Sequence, residues 1–147
     1  MGLPTLPTLF EIIATGIVLV ICVVTDVRKS VIWPWLCGLL VLVASFEPNK
    51  DFGMSILTAA LGFVPMFIVA VLGKGGGGGD ALLIGALGYT LPFIFSLYMY
   101  LAASLYYVFI LSVVIIVTKN KDKLLPYAPF VFAGWLTILI LYMTGAF

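Results

Sequence analysis

The chain is 147 residues long, 64% hydrophobic and 9% charged, with a formal net charge of +1 and a mean hydropathy of +1.30. Soluble domains carry roughly a quarter charged residues, so this composition belongs in a lipid bilayer. With no basic stripe there is no basis for nucleic-acid binding, and with no histidine His-based triads are excluded and a zinc site is disfavoured.

The N-terminal stretch Met1–Pro7 lacks the basic start of a cleavable signal peptide, so the apolar run after it reads as a retained first helix, predicted over 8–25 with Glu11 near its entrance. Asp26, Arg28 and Lys29 interrupt that run. A second span is predicted over 31–46, closed by the polar turn Glu47-Pro48-Asn49-Lys50-Asp51, and a third over 52–72, followed by Lys74 and a run of glycines. Residues 81–118 carry no charge and are long enough for two helices, with a break expected near Ser96–Tyr100, where Tyr98 and Tyr100 suit an interface. After the polar loop 119–123, a last span is predicted over 126–143. The expected fold is therefore one all-α polytopic membrane domain, residues 1–147, with six transmembrane helices. Cys22 and Cys37 lie singly in apolar segments and form no Cys-x-x-Cys pair, so they read as buried structural thiols.

Six spans allow two orientations, and the basic residues choose between them. With both termini outside, Arg28, Lys29, Lys74, Lys119, Lys121 and Lys123 lie inside and only Lys50 lies outside. The excess of Lys and Arg in cytoplasmic loops selects this arrangement. Asp26 then ends the first helix and Asp80 begins the fourth at the same, cytoplasmic, face, whereas Glu11, Glu47 and Asp51 belong to the opposite one. Asp122 shares the inner face but sits between lysines in a polar loop.

Two carboxylates near one water can do aspartic-protease chemistry. One ionised acid takes a proton from the water, and the other, protonated, polarises the scissile carbonyl. Like charges in contact cannot both ionise, so the pair shares a proton. Asp26 and Asp80 are the acids placed to work together. The second closes the run Gly75, Gly76, Gly77, Gly78, Gly79. Glycines beside a catalytic acid let a substrate backbone approach closely and offer it main-chain partners, so these five are the candidate substrate-binding residues. On bland readings, Asp80 caps a helix, the glycines form a flexible joint, and Arg28 and Lys29 set topology. Asp26 at a helix C-terminus faces an unfavourable dipole, which suggests a role other than stability.

Three blocks in order resemble the type IV prepilin peptidases, a family of Gly-x-Gly-Asp intramembrane aspartic proteases. They are Asp26-Val27-Arg28-Lys29-Ser30-Val31-Ile32-Trp33-Pro34-Trp35, then Gly77-Gly78-Gly79-Asp80 with the residues to Gly88, then Leu125-Pro126-Tyr127-Ala128-Pro129-Phe130 with the residues to Gly134. The chain departs from the family pattern at Trp33 and Pro34, where Pro-Asn is usual, and at Leu82, where a lysine is usual. It also lacks the cysteine-bearing insert of the longer, methylating members. The resemblance implies catalysis by Asp26 and Asp80 without cofactor or metal, at the cytoplasmic face of the inner (plasma) membrane. The implied substrate is a prepilin or pseudopilin, from which a short basic leader is removed. Other readings are a small ion- or proton-coupled transporter with Asp26 and Asp80 as its sites, and an inactive scaffold in pilus assembly.

Overall fold

A computed structural model describes residues 7–48, 50–72, 77–119 and 125–145, which form six α-helices and no strand. Helix α1 (Leu9–Lys29) starts at a capping box in which the Thr8 hydroxyl accepts from the Glu11 N–H and the Glu11 carboxylate from the Thr8 N–H. It stops at Ser30, whose left-handed backbone (φ 51°) turns its N–H onto the Asp26 carbonyl at 2.8 Å. Trp33 is extended (φ −77°, ψ 117°), as a residue before proline prefers, and Pro34 opens helix α2 (Pro34–Ser45) from its first turn. Helix α3 covers Phe52–Leu72 and helix α4 Gly78–Thr90. Helix α5 runs over Phe93–Thr118 and helix α6 over Ala128–Met143.

Six helices are present, and among the described residues three of them are long and apolar enough to cross a bilayer. These three are α1, α3 and α5. At 1.5 Å per residue, the 12 residues of α2, 13 of α4 and 16 of α6 reach about 18, 20 and 24 Å, short of a hydrocarbon core about 30 Å thick. Two physical causes account for the lengths of α2 and α4. Pro34 delays the start of α2 to position 34. Leu91, forced extended (ψ 152°) before Pro92, breaks the uncharged stretch at 91–92 rather than at Ser96–Tyr100. The tyrosines mark no break: Tyr100 donates its hydroxyl to the Ile84 carbonyl at 2.8 Å and so joins α5 to α4.

Helix α4 sits in the middle. It packs against α3 and α2 most extensively, and also against α5 and α1. Eight of its 13 residues are buried, on every side of the helix, as expected of a helix apolar all round. Ala70 lies by Gly77 and Thr58 by Gly88, so α3 and α4 run antiparallel. A Cβ on Gly88 would fall 2.8 Å from the Thr58 carbonyl oxygen, and one on Gly134 would fall 2.7 Å from that of Met99. Such close backbone approach is how membrane helices gain packing energy without a hydrophobic drive. Leu19, Leu40, Leu83, Leu87, Met99 and Val131 fill the space between. Both cysteines are buried and free, as expected from the sequence.

One end of this bundle is closed by an ion pair. Lys50, ahead of α3, donates to the Glu11 carboxylate at 3.0 Å and to the Thr90 carbonyl at 2.8 Å. The ammonium thereby neutralises the buried Glu11 and binds a carbonyl at the last residue of α4, where a positive charge suits the helix dipole. Glu11, Glu47 and Lys50 gather here, at the end of α4 opposite Asp80.

Candidate active site

Asp26 is carried by α1, three residues before its end rather than beyond it, and is 6% exposed. Its Oδ2 accepts a hydrogen bond of 3.0 Å from the backbone N–H of Ala128, the first residue of α6. No side chain of α6's own entry caps that terminus, so Asp26 supplies the cap from another helix. This corrects the view that its dipole is simply unfavourable. The C-terminus of α1 opposes the charge, but the N-terminus of α6 receives it. A hydrogen bond to a charged group contributes about 1.5–3 kcal/mol, whereas a helix dipole at a terminus contributes about 0.3–1 kcal/mol, so the direct bond prevails.

Asp80 stands in the first turn of α4, outside the three spanning helices, and is half-buried. Burial first, and the charge of Asp26 second, push its carboxyl up to about 6. The chain thus brings its two candidate acids within electrostatic reach, although they come from helices that are far apart in sequence. Two aromatic residues share the place. Tyr127, just ahead of α6, and Tyr107 of α5 both feel the Asp80 charge, and their rings meet edge to face at 5.3 Å. Tyr127 is buried, which raises its phenol above the ordinary value, with Asp80 adding to the effect. Sequence reasoning missed this pair, because tyrosine in an apolar run reads first as an interface anchor. The adjacency of Tyr127 to Ala128, within the third family-like block, was the available signal.

Two of the five candidate glycines have structural work of their own. Gly77 adopts φ +99° and serves as the N-cap of α4, a conformation that a side chain would strain. Gly79 lies so close to Ile32 that an added Cβ would stand 3.0 Å from the Ile32 Cβ and 3.4 Å from its carbonyl oxygen. That contact seats the first turn of α4 on the link between α1 and α2, which is what brings Asp80 toward Asp26. Gly78 is exposed, with open space where a Cβ would point. Gly78 and Gly79 are helical rather than part of a loop, and Gly75 and Gly76 lie outside the described residues. Among the described residues no group of three or more His, Cys, Asp or Glu could hold a metal ion, and no ion pair involves Asp26 or Asp80. Trp33 and Trp35 stack at 5.8 Å beside Ile32 and remain exposed.

Asp26 and Asp80 thus share one end of an all-helical, apolar bundle. Comparison with protein families, curated proteins and solved structures gives no match to this chain.

Proposed function

We propose that this protein is an intramembrane aspartic endopeptidase of the prepilin-peptidase type, which removes the short basic leader from a prepilin or pseudopilin. The observation that carries the reading is that Asp80 of α4 lies within electrostatic reach of Asp26 of α1, its carboxyl raised by burial first and by the Asp26 charge second. Surface acids placed for topology alone have no reason to converge in a half-buried position, where like charges repel. A shared proton turns that repulsion into general acid and base at one water.

The active site then lies at the cytoplasmic face of the membrane. Arg28, Lys29 and Lys119 are exposed at the Asp26 end, and Lys50 is tied up at the other, a distribution that accords with the positive-inside rule. A basic leader would meet the acid pair from that side, and the apolar helix behind the cleavage point would remain in lipid.

The test is co-expression of the protein with a panel of prepilins, with Asp80→Asn alongside. A leader-sized mobility shift made by the wild type alone supports the reading. Cleavage that persists in Asp80→Asn, or a membrane-inserted wild type that cuts no member of the panel, removes it.

A further inference from the structure

The two acids of the pair are not held alike. Asp26 is 6% exposed and receives a direct 3.0 Å hydrogen bond from the Ala128 amide. The Asp80 Oδ2 instead leans back over Gly77, 3.8 Å from where a Cβ on that glycine would be. Burial and the charge of Asp26 act on it, and among the described residues no hydrogen bond to it is found. An N–H donor aimed at a buried carboxyl stabilises the ionised form, whereas burial without a donor stabilises the neutral one.

From this geometry we propose that the pair is asymmetric, with Asp26 the resident carboxylate and general base, held so by the Ala128 amide, and Asp80 the bearer of the shared proton. The assignment rests on the protease reading for its catalytic meaning, but not for its test. In the forward step the water oxygen bonds to the scissile carbonyl carbon while Asp26 takes a proton from the water. The carbonyl oxygen, gaining the π pair, takes the proton of Asp80. The resulting gem-diol collapses as Asp26 returns its proton to the amide nitrogen and a diol hydroxyl gives its own to Asp80. The C–N bond breaks, and both acids regain their starting states. Ala128 is a positioning residue here, because it acts on the reaction only through Asp26.

The other titratable or charged groups around Asp80 do not reverse this order. Besides Asp26, α1 contributes the buried Cys22 and, at its exposed last turn, Arg28 and Lys29. The α2 helix contributes the buried Cys37, α5 contributes Tyr107, and Tyr127 precedes α6. No ionisable residue occurs in α3, and Lys74 lies outside the described residues.

A pH titration of the carboxylic-acid carbonyl stretch in the infrared, on the full chain in lipid nanodiscs, reads the proton directly. The wild type is expected to show one acid that holds its proton above the range of ordinary carboxyls. Asp80→Asn should abolish that signal. Asp26→Asn should retain it at lower pH, since the neighbouring charge is gone. Replacing Ala128 by its α-hydroxy analogue, which turns the amide N–H into an ester oxygen, should restore a high-titrating acid in the Asp80→Asn background. Survival of the signal in Asp80→Asn, its loss in both single variants, or no effect of the ester would each overturn the assignment. A protein that shows this pattern yet cuts no prepilin keeps the asymmetry and loses the protease reading.

Discussion

At one end of the bundle Glu11 is bonded to Lys50, and the same ammonium binds the last carbonyl of α4. At the other end Asp26 and Asp80 approach each other, and no described cation is paired with either. Both ends hold carboxylates away from water, yet one is neutralised and the other is left in conflict. The same short helix, α4, has its C-terminus in the first arrangement and its N-terminus in the second. This contrast separates an end closed by an ion pair from an end where two acids share a half-buried place, the arrangement on which the proposed acid–base role rests. Helix α4 is the rigid spacer that makes the difference usable. Fixed at Thr90 and wedged at Gly79, it holds Asp80 in place against α1.

The sharpest way to break this comparison is to remove charge at each end and ask which property fails. Asp26→Asn and Asp80→Asn should each lower prepilin cleavage by at least about a hundredfold, the usual scale for losing a general acid or base, while the protein stays inserted and folded. Asparagine at position 26 still offers an oxygen to the Ala128 amide, so the loss would report charge rather than a missing cap. Full cleavage by either variant would place the two ends in the same category.

Lys50→Met should do the opposite and act on stability. It strands a buried Glu11 and an α4 carbonyl, and breaking a buried pair from one side costs about 3–5 kcal/mol. The expected readout is a large fall in Tm in detergent, partly recovered when Glu11→Gln is added. A Tm equal to that of the wild type would show that Lys50 is not what closes this end.

Smaller effects sharpen the role of the glycines. Gly77→Ala should cost about 1 kcal/mol or more, because the left-handed backbone disfavours a side chain, and Gly79→Ala should push Ile32 away and lower Tm similarly. Gly78→Ala meets open space in the first turn of a helix and should leave Tm unchanged or slightly raised. Loss of cleavage in that variant at unchanged Tm would identify Gly78 as a substrate contact, whereas unchanged cleavage would leave the glycines as purely structural.

The smallest expected effect is a dependence of stability on pH. The Asp80 carboxyl is pushed up to about 6 in the folded protein from an ordinary value of 3.8, so the folded state holds the proton more tightly. Stability from this group is present below the lower value and is lost as pH rises through the upper one. Asp80→Asn should therefore unfold at higher temperature than the wild type above about pH 6, and the two should converge in acid. A gap that widens toward acid would reverse the sign and remove the evidence for conflict at this end.

Much of the fold was legible because it depends on local chemistry. The bounds of α3, 52–72, follow from an apolar run between a polar turn and Lys74. The separation of Glu11, Glu47 and Lys50 from Asp26 and Asp80 follows from alternating helices. The lengths of α2 and α4 were misjudged, since hydropathy measures solubility in lipid and does not distinguish contact with lipid from contact with other helices. For α4 only packing made that distinction, through the close approach at Gly88 and the Tyr100–Ile84 bond.

The sequence by itself determined an apolar, all-helical chain and the two acids worth watching, because composition, prolines and charge placement act on neighbouring residues. Only the tertiary structure decided that Asp26 caps α6, that Tyr107 and Tyr127 flank Asp80, and that Lys50 rather than a loop fastens the far end of α4. Those contacts join residues separated by 102 positions in one case and 40 in another. No local pattern encodes such a meeting. It arises when buried polar groups, unable to reach water, take the partners that helix packing brings to them.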